Sequence, residues 1–141
     1  MWALGALCAS ASSARAEVPC REVQRTLANG ISELDDVDAV LRLAPFIDEA
    51  TLRTLEGVAD RGPDAAAYAA VLAVGFSRRA DALGVLRARP GSKTAEIGLG
   101  KSLALLALGD GSQTGTIARA LSSDDVERRR RTARALARMH Q

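Results

Sequence analysis

Apolar residues recur along this chain at three- and four-residue spacings. No stretch alternates apolar and polar residues as a half-buried strand does, so the pattern predicts helices throughout. Pro19 suits a helical first turn and Asn29-Gly30 a stop. Asp36 is expected to cap a short helix from Val37 to Leu43 that ends before Pro45. Asp48 caps a second helix, which carries Leu52, Leu55 and Val58 and closes near Gly62. Pro63 then takes a first-turn position, and an apolar helix runs to about Phe76. Ser77 is expected to cap the next, which holds Leu83, Val85 and Leu86, before Pro90-Gly91-Ser92 breaks the chain. A helix from about Lys93 to Leu108 stops at Gly109-Asp110-Gly111. A shorter one spans Gln113 to Leu121, and the last begins near Asp124. The fold class is all-α, with helices joined by short turns.

Two of these segments align with each other. Ala70-Val71-Leu72-Ala73-Val74-Gly75-Phe76 matches Ala104-Leu105-Leu106-Ala107-Leu108-Gly109-Asp110 at an offset of 34, and Leu83 then matches Ile117. A third copy lies at an offset of 28, where Ala135-Leu136-Ala137 matches Ala107-Leu108-Gly109. A period near 30 with two helices per unit signals a short α-solenoid of antiparallel helix pairs. One pair cannot bury its apolar face alone, so neighbours must stack.

The phrase Ala107-Leu108-Gly109-Asp110, followed by Ile117-Ala118-Arg119-Ala120-Leu121, Asp124-Asp125-Val126-Glu127-Arg128 and Ala133-Arg134-Ala135-Leu136, resembles a HEAT-like repeat. The type is the short one also found in phycobiliprotein lyases. In that family an Ala-Leu-Gly phrase ends the first helix, paired apolar residues mark the second, and an acidic turn with Val-x-Arg opens the next unit. The resemblance covers residues 63–141. It implies a stacked-helix fold and a binding surface, and it carries no lyase activity, because no catalytic residue belongs to the repeat itself. Gly98, Gly100 and Gly115 depart from the pattern by standing inside helices, at about 1 kcal/mol each relative to alanine. Residues 17–62 show helix pairs without a clear repeat and read as an N-terminal helical capping region.

Composition changes the picture at the N-terminus. Trp2 to Ala11 is apolar and uncharged, and Ala14-Arg15-Ala16 is a small-x-small phrase of the kind signal peptidase accepts. Residues 1–16 therefore read as a signal peptide, although no Lys or Arg precedes the apolar run. The expected mature start is Glu17, in a periplasmic or extracellular protein. The alternative is an apolar first helix of a cytoplasmic protein. Neither this run nor Ala65–Phe76 is long enough to span a bilayer. Cys8 would leave with the signal, and Cys20 alone makes no internal disulfide. Leu7 stands where lipidation of Cys8 requires a small residue. Aromatic residues are only 3% of the chain, so the core has to be built from Leu, Val, Ile and Ala.

Charge divides the chain unevenly. Residues 17–76 hold five Arg against eleven Asp and Glu, net −6, and residues 77–141 hold thirteen Lys and Arg against six acids, net +7. That asymmetry favours head-to-tail self-contact or a basic surface for an acidic partner. Its sharpest part is Arg128-Arg129-Arg130-Arg131 with Arg134 and Arg138. Asp124, Asp125 and Glu127 stand just before it, where a helix dipole favours negative charge. Arg131, Arg134 and Arg138 fall on one helical face, and Val126, Ala133, Leu136 and Ala137 are expected to form the buried one. Arg128, Arg130, Arg131, Arg134 and Arg138 are the candidate anion or partner surface; the plainer reading is the solvated face of a capping helix.

Other constellations do not add up to chemistry. Ala95-Glu96-Ile97-Gly98-Leu99-Gly100-Lys101-Ser102 fits only the loosest form of a phosphate-binding loop, with no apolar strand before it, and Lys101 reads as an exposed helical lysine. His140 is the single histidine. It suggests neither a metal cluster nor a nucleophile–base pair. Asp35, Asp36, Asp38, Asp48 and Glu49 crowd the acidic half, but aspartate before a helix is usually a cap. The resulting expectation is a non-catalytic exported scaffold that binds a protein partner, with no cofactor or metal. The alternative is a cytoplasmic nucleic-acid-binding protein, like the DNA glycosylases built on similar repeats. It would use the arginine stripe together with Arg78, Arg79, Arg87 and Arg89. Export would count against that partner.

Overall fold

The computed structural model of the chain describes residues 42, 44–61, 64–88 and 94–139. The expected signal peptide, Cys8, Cys20, Asp35, Asp36, Asp38 and His140 lie outside these residues. A 3-10 turn, Ala44–Phe46, leads into α1 (Glu49–Arg61), and α2 (Asp64–Phe76) follows after a short connection. Next come α3 (Ala82–Ala88) and α4 (Ala95–Ala107), then a 3-10 turn, Gly111–Gln113, α5 (Thr114–Leu121) and α6 (Val126–Arg138). The described residues contain no strand, so the all-α class holds.

Helices α1, α2, α4 and α6 are each 13 residues; α2, α4 and α6 begin at Asp64, Ala95 and Val126, 31 residues apart each time, and α1 begins at Glu49, 15 residues before α2.

Helix α2 is apolar all round, and Ala66 through Gly75 is buried without interruption, which is how a helix enclosed on every side reads. Val71 and Val74 turn toward α1 and α3, packing with Leu52, Leu55, Val58 and Leu86. Tyr68 and Leu72 turn the other way, toward Leu99, Leu103, Ile117 and Ala135. Full burial of each such leucine contributes about 1.5–3 kcal/mol. Small residues bring α2 and α4 together. A methyl group on Gly75 would lie 2.5 Å from Ala104 Cα, and one on Gly100 would lie 2.9 Å from Tyr68 Cδ2. Both contacts advance in the same direction along the two helices, so α2 and α4 lie side by side in the same sense. Gly100, out of place as a helix former, is required by this approach.

The turns follow local chemistry. Helix α4 starts at Thr94, whose hydroxyl accepts from the Ile97 N–H. It ends in a Schellman motif: Gly109 has φ +89°, its N–H bonds the Leu106 carbonyl, and the Asp110 N–H bonds the Leu105 carbonyl at 2.8 Å. Two residues past the end of α2, Arg78 adopts φ +54°.

Two expectations are corrected. Ser77 does not cap α3: its hydroxyl donates back to the Val74 carbonyl at 2.5 Å, and α3 begins only at Ala82. The segment 77–81 instead forms a turn, pinned by Arg79 gripping Asp81 at 2.9 and 3.1 Å. In α6 the buried face is Thr132 and Ala135, flanked by half-buried Arg128, Arg131 and Leu136, while Val126, Ala133 and Ala137 are exposed. Apolarity misleads here because the inner face is polar: the Thr132 hydroxyl satisfies itself on the Arg128 carbonyl at 2.7 Å, and the two arginines meet a carboxylate.

Candidate functional site

That carboxylate is Glu96, in the first turn of α4. Its Oε1 accepts from Arg128 Nη2 at 2.7 Å and Nε at 3.2 Å, and its Oε2 accepts from Arg131 Nη2 at 2.8 Å. The three side chains are only 23–34% exposed, so the pairs are better shielded than ordinary surface ion pairs. The Arg131 guanidinium also lies 5.5 Å from the centre of the Tyr68 ring, within cation–π range. Glu96 raises the pKa of Arg128, first by its hydrogen bonds and then by its charge. Tyr68 is 1% exposed, and its hydroxyl, like Arg131 Nε, finds no hydrogen-bond partner among the described residues. Burial pushes the Tyr68 pKa up to about 12; the Arg131 charge opposes the shift and the Glu96 charge adds to it.

The arginine stripe is therefore split. Arg128 and Arg131 face inward onto Glu96. Arg130 is exposed and pairs with Glu127 at 3.3 Å on its own helix, Arg134 is exposed, and Arg138 is half-buried. The acids before the stripe divide as well: Asp125 caps α6, accepting from the Glu127 and Arg128 N–H groups, and these bonds hold its carboxyl below the ordinary range. Arg87 pairs with Asp110 and Arg79 with Asp81, while Arg78 reaches the Met139 carbonyl at 3.5 Å.

Comparison with protein-family models, with curated proteins and with solved structures finds no match to this chain.

Geometry alone thus marks the site. A groove of about 750 Å³ runs along the faces that α4 and α5 turn to each other. Helix α4 supplies Gly98, Leu99, Lys101, Ser102 and Leu105 from three successive turns; α5 supplies Thr116, Arg119 and Ala120. From Ala95 to Leu105 the α4 wall is about 15 Å long at 1.5 Å per residue. Arg87 and Arg128 also reach the lining, so four cations share it with one carboxylate, Asp110. Asp110 is occupied locally. The Ser112 hydroxyl and N–H and the Arg87 guanidinium hold its pKa down to about 2.

The residues that resembled a phosphate-binding loop lie here, but inside α4. From Gly98 onward their backbone N–H groups belong to the helix ladder, the Ile97 N–H bonds the Thr94 hydroxyl, and Gly98 offers its carbonyl to the Ser102 hydroxyl at 2.9 Å. A phosphate-binding loop needs a run of N–H groups outside a helix, and these residues are helical. The groove, with Arg119 and Lys101 on its walls, is what sequence reasoning missed. A signal existed in the spacing: Gly98, Lys101, Ser102 and Leu105 share a helical face on which small and polar residues replace the expected apolar stripe.

Proposed function

We propose that the chain is an exported, non-catalytic helical-repeat scaffold of HEAT-like architecture that binds a protein partner. The observation that supports it is the groove between α4 and α5, the two helices of one pair in a chain whose helices α2, α4 and α6 begin 31 residues apart. Stacked pairs present grooves of this kind as extended binding surfaces. Asp110 in the groove and Asp125 at the start of α6 have lowered pKa values because they are held in a turn, a cap and an ion pair, which suits a fixed binding surface better than proton transfer.

A photo-crosslinking residue at Gln113, on the groove wall, tests the reading in the native host, with Arg53 on α1 as a control position. The expected result is a protein adduct from Gln113 alone, on a mature chain beginning at Glu17 and recovered outside the cytoplasm. An adduct with nucleic acid, or a cytoplasmic chain that retains Met1, would overturn it in favour of the arginine-lined alternative.

A further inference from the structure

We propose that α6 is a releasable cover, held shut by Glu96, and that lifting it uncovers the ring of Tyr68. The proposal concerns a movement within the fold, so it stands apart from the scaffold reading and from the groove.

What lies beneath α6 is bulky and apolar. Tyr68, Leu72 and Leu103 are 1%, 0% and 0% exposed, and they share one cluster with Ala135 of α6. What α6 lays over them is small or polar. Its buried residues are Thr132 and Ala135, and Leu136 and Met139 add partly buried contacts toward its C-terminus. A buried alanine removes far less apolar area from water than a leucine in the same place, so apolar burial holds this helix weakly for its 13 residues.

The fastening near its N-terminus is charged. Arg128 and Arg131 grip Glu96 at 2.7 and 2.8 Å. Toward the other end Arg78 Nη2 reaches the Met139 carbonyl at 3.5 Å, which is long for a hydrogen bond. Charged contacts yield to salt, and they yield further when one partner is removed and the other charge is left shielded.

Closure also leaves two donors unpaired. Tyr68 Oη and Arg131 Nε are buried with no hydrogen-bond partner among the described residues, and the Arg131 guanidinium lies over the Tyr68 ring where α6 covers α2. An unpaired buried donor raises the energy of the closed form and is satisfied once it meets water. Both orphans therefore narrow the gap between the closed and the lifted form.

Tyr68 is the single tyrosine, so its nitration by tetranitromethane in the full chain reads the lifted form. The reagent attacks tyrosinate, and burial pushes the closed-form pKa up to about 12, which keeps the closed form silent near pH 8. The product is read by mass on the peptide that carries Tyr68, with circular dichroism checking that helicity is intact. Glu96→Gln should speed nitration about tenfold. Raising sodium chloride from about 0.1 to about 1 M should speed it about threefold in the parent chain and not in Glu96→Gln. Val58 packs on the other side of α2, in the cluster that holds Leu52 and Leu55. Val58→Ala loosens the whole molecule without touching the clamp and should change the rate by less than about twofold. Equal acceleration by Val58→Ala and Glu96→Gln would mean that Tyr68 is reached only by global unfolding, and would overturn the proposal. So would one rate for the parent and Glu96→Gln, or the same salt response in both. If Glu96→Gln loses helicity, the salt series on the parent carries the test, and a rate independent of salt overturns it.

Discussion

Replacing Gly75 and Gly84 by alanine makes one chemical change in two helices and should move stability in opposite directions. Gly84 is exposed on α3, and an added methyl group meets nothing within 4 Å. Its only effect is to restrict the unfolded chain and favour the helix, a gain of about 0.5–1 kcal/mol. Gly75 is buried, and its methyl would stand 2.5 Å from Ala104 Cα and Cβ and 2.7 Å from the Ala104 carbonyl oxygen. Ordinary carbon contacts are about 3.5–4.0 Å, so α4 must retreat by roughly 1 Å. It cannot do so without loosening Leu105 from Val74 and its neighbours. Overpacking of this kind costs about 1–3 kcal/mol. After the helix-propensity gain, Gly75→Ala should lose about 1–2 kcal/mol and lie about 2 kcal/mol below Gly84→Ala. Urea unfolding followed by far-ultraviolet circular dichroism reads the difference. With a slope of about 1–3 kcal/mol per molar urea, the two midpoints should separate by about 1 M. A Gly75→Ala midpoint at or above that of the parent chain refutes the close approach of α2 and α4.

Three further outcomes follow from the ion pairs and the buried ring. Tyr68 is the single tyrosine, so tyrosinate absorbance reports on it alone; folded chain should show no ionisation near pH 10, and ordinary titration with helicity intact would contradict its burial. Because its folded pKa, about 12, exceeds the ordinary 10, its stabilising contribution is complete below pH 10 and disappears as pH rises toward 12. Asp110 works in the opposite sense: its folded pKa of about 2 lies below the ordinary 3.8, so its contribution is present above pH 3.8 and is lost as pH falls through about 2. Asp110→Asn should remove that part of the acid dependence, read as the urea midpoint against pH. Glu96→Gln should cost about 1–3 kcal/mol, because Arg128 and Arg131 remain shielded without their carboxylate; an unchanged urea midpoint would refute the clamp.

Much of the architecture was legible in the residues. The apolar phrase from Ala65 to Phe76 predicts α2 nearly to the residue, and Gly109-Asp110-Gly111 marks the Schellman stop of α4 through the positive φ that only glycine takes readily. Helix α6 was legible as a helix but not as to which side faces inward. Periodicity assumes that buried means apolar, and there the buried positions are filled by threonine, alanine and arginine stems. The groove was harder still. The polar and small face of α4 at Gly98, Lys101 and Ser102 marks one wall only, and the groove itself arises from the placement of α5 beside it, which the spacing within α4 does not encode.

The clamp at Glu96 has a bearing on how the molecule opens. Helix α2 meets α4 through close-packed apolar side chains, whereas α6 adds to its apolar contribution, Ala135 and Leu136, the charged contacts of Arg128 and Arg131 with Glu96. Salt weakens the charged contacts of that seam and spares the apolar ones. The molecule should therefore not melt as one block. Amide protons of α5 and α6 should exchange with solvent through a lower-energy partial opening, while those of α2 wait for the whole molecule to unfold. A partner bound along the groove would bridge both sides of that seam, so binding would register first as slower exchange in the last two helices.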